Sequence, residues 1–105
     1  MTAGIVVMIS CSSKREATKI RKVLLEERKV ACVNLISGVD SFFWWKDKID
    51  TSREVLLLAK SERRMLKAII RLVKKVHSYE NPEVIALPIS DGSEDYLRWI
   101  TKSVK

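Results

Sequence analysis

Few side chains in this sequence can ligate a soft metal or move a proton near neutral pH: Cys11, Cys32 and a single histidine, His77. A thiolate with an imidazole suits copper or zinc, but two ligands alone do not complete a tetrahedral site. The two cysteines have apolar, strand-like neighbours and no Cys-x-x-Cys spacing, so they read as reduced thiols. Cys32, among Val30, Ala31 and Val33, reads as core packing. Glu54, Glu80, Glu83 and Asp91 could offer hard oxygen ligands, yet no spacing among them matches a calcium or magnesium loop, and they read as ordinary loop carboxylates. There is no Gly-x-Ser-x-Gly elbow and no phosphate loop. Neither a nucleophile with its base nor a nucleotide cradle can be named, and the expectation is a protein without enzymatic activity.

Charge is the next signal. The chain carries a net +7 over 105 residues, and Arg64, Lys67, Arg71, Lys74 and Lys75 line one side of an expected helix with almost no acid between them. Such a stripe can follow a phosphate backbone. RNA-binding modules of this size, however, stack bases on exposed sheet aromatics. Here the inner strands are aliphatic and the aromatics collect in one run, Phe42-Phe43-Trp44-Trp45, so nucleic acid is not an expected partner.

The elements that must position these groups centre on Val30 to Lys60. This stretch reads as two strands joined at Lys46-Asp47-Lys48, the second ending in Val55-Leu56-Leu57-Leu58. Fully extended at about 3.3 Å per residue, Val30 to Trp45 would span roughly 50 Å. A compact chain of this length has a radius of gyration of only ~13 Å, so the arm must bend or protrude, and Ser37-Gly38 is the natural kink. Before it, Ile5 to Ile9 is a buried strand, and Ser10 to Ser13 is a polar turn that can cap a helix carrying Ala17, Ile20, Val23 and Leu24 on its apolar side. After it, Ser61 is the expected cap of a second helix whose stripe is Met65, Ala68, Ile69, Leu72, Val73 and Val76. That helix stops near His77-Ser78 because Asn81-Pro82 forbids continuation. Val84 to Ile89 is a fourth strand with Pro88 at its end, and Ser93 caps a last helix bearing Tyr96, Leu97, Ile100 and Val104.

The order β-α-β-β-α-β-α predicts an α+β fold: a ferredoxin-like β-α-β-β-α-β sandwich with an antiparallel sheet and an additional C-terminal helix, in a single domain over residues 1–105. Two helices cover one face of such a sheet. Strands apolar on both sides need cover on the other as well, and the aromatic tip of the hairpin lies beyond the reach of its own core. Association with further copies of the chain is the expected answer. No apolar run approaches the roughly 20 residues of a membrane span, and Met1 to Gly4 lacks the features of a signal peptide. A soluble, intracellular protein with no membrane partner is expected.

Along nearly its whole length the sequence resembles the CutA family of divalent-cation tolerance proteins. The marks are Glu26 to Leu35 (EERKVACVNL), the aromatic tip Phe43-Trp44-Trp45 followed by Lys48-Ile49, the Glu54 to Lys60 strand, His77 with Tyr79 and Glu80, Pro82-Glu83, and Tyr96-Leu97-x-Trp99-Ile100. The resemblance implies a tight homotrimer of ferredoxin-like subunits, cytoplasmic in bacteria and archaea, without established enzymatic activity. It also implies a link to divalent metal ions, copper above all, with no cofactor required. Cys11 and His77 are the residues it carries over as metal ligands. The chain departs from the family pattern in Ser12-Ser13-Lys14-Arg15 after the first strand, in His77-Ser78-Tyr79 where His-Pro-Tyr is usual, and in Asp47 at a hairpin position usually held by glycine. An alternative follows from similarity of architecture to trimeric proteins of the PII signalling type, which bind small anions at subunit clefts; Lys14, Arg15 and His77 would then line such a cleft.

Overall fold

The computed structural model describes residues 2–105. Its elements are β1 (Gly4–Cys11), α1 (Lys14–Glu26), β2 (Cys32–Trp45), β3 (Lys48–Glu62), α2 (Leu66–Val76), β4 (Val84–Pro88) and α3 (Glu94–Ser103). All strand pairs are antiparallel, in the order β2-β3-β1-β4. This is the ferredoxin-like sandwich with a third helix at its C-terminus, as the alternation of elements predicts.

Side chains alternate between the two faces of a strand, and the register shows what each face does. Ile5, Val7, Ile9 and Cys11 of β1 share one face with Val55, Leu57 and Ala59 of β3. All are buried beneath Ala17, Ile20 and Leu24 of α1 and Ile69 and Val73 of α2. The other face carries Met8, Leu56, Ile36, Ile85 and Leu87. α3 lies against one end of this second face: the Tyr96 hydroxyl is 3.7 Å from Cys32 Sγ, and Thr101 Oγ1 donates to Glu62 Oε2 at 2.6 Å. The remainder is open, with Ile36, Ile85, Leu87, Tyr96 and Trp99 all exposed.

The hairpin protrudes, which gives the chain extents of 44 × 26 × 23 Å. Its kink falls where the glycine is. Ile36 pairs with Leu56 and Val39 with Glu54, so Ser37 and Gly38 together oppose the single residue Val55, with Gly38 at φ +74°. This is a β-bulge built on a left-handed glycine. At the tip, Lys46 and Asp47 both take positive φ, 51° and 63°, as a two-residue turn matched to strand twist requires.

Two local expectations are corrected. Ser61 does not cap α2. It lies in β3, fully buried, where its hydroxyl donates to Lys29 O at 2.5 Å, and a 3-10 turn at Arg63–Met65 leads into the helix instead. Likewise β1 runs on through Ser10 and Cys11, because β3 continues to pair with it up to Val55. Only Ser12 and Ser13 remain to turn the chain.

Candidate metal centre

The end of β1, the start of α1 and the end of α2 meet at one point. Ser13 is the N-cap of α1, its hydroxyl accepting from Glu16 N at 3.1 Å. That cap turns Lys14 and Arg15 out to solvent and Glu16 inward. At the C-cap of α2, His77 N donates to Val73 O at 2.8 Å, closing the helix. Its ring then lies over the β1 end, with Nε2 2.8 Å from Ser10 O. The ligating atoms of Cys11, Glu16 and His77 all fall within 4.8 Å of one another.

His77 and Glu16 are held by protein hydrogen bonds, and Cys11 by burial. The Tyr79 amide can only donate, and it points at His77 Nδ1 at 3.0 Å, so the ring proton belongs on Nε2, facing the Ser10 carbonyl. Glu16 Oε1 accepts from Ser12 N and Ser12 Oγ at 2.9 and 3.0 Å, and Oε2 accepts from Ser78 N at 2.8 Å. Burial would raise the Glu16 pKa; these bonds from Ser78 and Ser12 outweigh it and hold the carboxyl down at about 2. Cys11 is fully buried. Burial first, and then the nearby carboxylates Glu16 and Glu54, push its thiol up to about 12.

Tyr79 ties this cluster to the base of the hairpin. Its ring centroid is 4.7 Å from that of His77, and its hydroxyl donates to Glu54 Oε2 at 2.5 Å. Burial and that carboxylate together push the phenol up to about 12. Glu54 is not the ordinary loop carboxylate expected of it but a buried strand residue.

The structure therefore brings together the two expected ligands, Cys11 and His77, and adds Glu16. The signal for Glu16 was present as Ser13-Lys14-Arg15-Glu16, the Ser-x-x-Glu spacing of a capping box. Here the carboxylate reaches one residue further back, to Ser12, and across to Ser78. A proline at position 78 would have no N–H to offer, so the serine of this chain supplies a bond the usual His-Pro-Tyr could not. Of the residues assigned to an anion cleft, Lys14 and Arg15 are exposed while the His77 side chain is fully buried within the chain.

Sulfur, nitrogen and carboxylate donors at this spacing fit a borderline cation such as copper(II) or zinc(II). Ligation needs the Cys11 proton to leave. The thiol also makes a prediction for the protein by itself. Its pKa is raised in the folded state from 9.0 to about 12, so the stabilisation is complete below pH 9 and lost as pH rises toward 12. Three pH units correspond to about 4 kcal/mol. Urea midpoints measured from pH 8 to 11 should fall more steeply for the wild type than for Cys11→Ala; parallel slopes would show that the thiol is not held neutral.

The family model described as CutA1 divalent ion tolerance protein matches residues 5–103. The chain is 38% identical over 102 residues to the chloroplastic protein CutA 1 of rice, Oryza sativa subsp. japonica, covering 97% of this chain and 58% of that one. It is also 38% identical over 98 residues to the divalent-cation tolerance protein CutA of Thermus thermophilus, covering 93% of this chain and 95% of that one. The solved Thermus thermophilus structure superposes with a TM-score of 0.95 at 36% identity, covering 97% and 99% of the two chains. The rice structure gives the same score and identity, covering 99% and 95%. The chain spans little more than half the length of the plant relative, and nearly all of the bacterial one. With the family model spanning the four strands and three helices, and the fold superposing as closely as this, the chain belongs to the CutA1 divalent ion tolerance family.

Proposed function

We propose that the protein is a non-enzymatic homotrimer of the cytoplasm that takes part in divalent-cation tolerance by binding copper or a similar ion directly at Cys11, Glu16 and His77. The observation that carries this is the convergence of three unlike donor atoms within 4.8 Å. A bound cation would supply positive charge between Glu16 and the Cys11 thiolate. To hold it, Cys11 would give up its proton and His77 would offer Nδ1 in place of its bond from the Tyr79 amide. Tyr79 and Glu54 keep the ring oriented from the far side. Two reduced cysteines, neither in a disulfide, accord with a reducing compartment. No described helix is long and apolar enough to cross a membrane. The trimer is supported by the open sheet face and by the hairpin, where Phe42 and Trp44 are each 72% exposed and Ile49 65%. A patch of this kind marks an interaction site.

The test is titration of the purified protein with copper(II) and zinc(II), beside Cys11→Ser and His77→Ala, with metal content measured after extensive dialysis. The wild type is expected to retain about one ion per chain, and either variant to lose affinity by at least tenfold. Equal retention by all three proteins would rule the cluster out.

A further inference from the structure

Charge in this subunit is sorted by face. The segment from Lys14 to Lys29, holding α1 and the turn after it, and the segment from Arg63 to Val76, holding α2, contain thirteen of the twenty lysines and arginines but only three of the thirteen acidic residues. The two segments carry a formal +10, and the rest of the chain, which makes the sheet, the hairpin and α3, carries −3. One of the three acids, Glu16, is turned into the cluster described above. Both helices pack on the same face of the sheet, so their charge sums on one side of the subunit. That side faces away from the apolar sheet surface.

On α2, Lys67, Arg71 and Lys75 recur every four residues, with Lys74 beside them, and all are exposed. None of the four has a carboxylate within ion-pair reach among the described residues. At 1.5 Å per residue the stripe from Lys67 to Lys75 is about 12 Å long, the length of three or four base-pair steps at ~3.4 Å each along a duplex axis, enough to meet at least two phosphates. A groove of about 570 Å³ runs beside it, lined by Lys29, Arg71, Lys74 and Lys75 over Leu72, with Glu27 its one acid.

We infer that the helical face of this protein binds the phosphate backbone of nucleic acid without reading sequence. The inner strands are aliphatic and the exposed strand aromatics are confined to the hairpin tip, away from the helical face; backbone contact needs no stacking platform. A lipid surface would ask for more. Helices that lie on membranes bury large apolar side chains beside their cations, and the exposed large apolar residues of this chain are on the strands and α3, none on α1 or α2. Phosphate contact without apolar insertion fits nucleic acid better.

The test uses a fluorescent mixed-sequence DNA duplex of about 20 base pairs, with anisotropy followed from low to physiological salt. Two double variants are compared, Arg71→Glu/Lys75→Glu on the stripe and Lys46→Glu/Lys102→Glu elsewhere, each with its circular dichroism checked. Wild type is expected to bind in the micromolar range at low salt, with log affinity falling steeply against log salt. The stripe variant should lose at least tenfold and flatten the salt slope by about 2, since each phosphate contact contributes ~0.9. The control should stay within about threefold. Absence of wild-type binding at low salt, equal losses in both variants, or tighter binding to phosphatidylserine vesicles than to the duplex would each overturn the inference. The wild-type salt series decides by itself if the stripe variant misfolds: a slope shallower than about −2 excludes a multi-phosphate contact.

Discussion

Trp44→Ala is expected to split the assembly while leaving the subunit folded. Trp44 pairs across the hairpin with Ile49 and shares a face with Phe42. In the isolated chain these three are the most exposed large apolar side chains, at 72%, 65% and 72%. The residue contributes nothing to the subunit core, where Ile9, Ile20, Leu57 and Ile69 are fully buried. In the proposed trimer, what it stabilises lies between copies. Removing a large aromatic from a packed environment costs about 3–5 kcal/mol, and tryptophans are among the residues that dominate interfaces. At 1.4 kcal/mol per tenfold, one such loss weakens association by about two to three and a half orders of magnitude. Sedimentation over a dilution series should show the variant dissociating at concentrations where wild type is intact, with helical circular dichroism retained. Unchanged mass and unchanged thermal stability would mean that the hairpin does not hold the copies together.

Glu16→Gln should remove most of the acid sensitivity of the fold. The carboxyl titrates at about 2 in the folded protein against 4.5 for the free group. A lowered folded-state pKa gives stability that is complete above 4.5 and disappears as pH falls through about 2. The shift corresponds to roughly 3 kcal/mol before solvent screening, and because the bonds that cause it lie near the surface, only part of that remains as stability. Its acceptors hold Ser12 N and Ser78 N, which join the start of α1 to the end of α2. Glutamine keeps one acceptor but turns an NH₂ toward an N–H that can only donate. Denaturation midpoints between pH 7 and 3 should fall markedly for wild type. The variant, weaker at pH 7 by an amount of that order, should vary much less. Parallel curves would place the acid sensitivity elsewhere.

The fold was legible because its signals are local and strong. The three- and four-residue steps from Met65 to Val76 could only be a helix, and Ser37-Gly38 could only be a break in a strand too long for the domain. Helix and strand ends were less legible. Ser61 reads as a cap by type, yet strand pairing with Ile5 keeps it in β3, a tertiary contact no local pattern announces. The candidate site was half visible. Cys11 and His77 stand out by chemistry and by family resemblance, but residue spacing does not reveal that chain ends 66 residues apart are joined through Glu16. Glu54 reads as a loop carboxylate from its neighbours in sequence, because its partner Tyr79 arrives from beyond the end of α2. The basic stripe was visible on α2 alone. Its meaning changed once the fold laid the cations of α1 on the same side.

In the proposed trimer, further copies of the chain cover the aromatic arm and the second sheet face, apolar surface that one copy leaves open. Sedimentation equilibrium of the wild-type protein in dilute neutral buffer measures this directly. The expected result is one species at three times the 12.1 kDa chain mass, persisting on dilution. A monodisperse species at the mass of a single chain would contradict it.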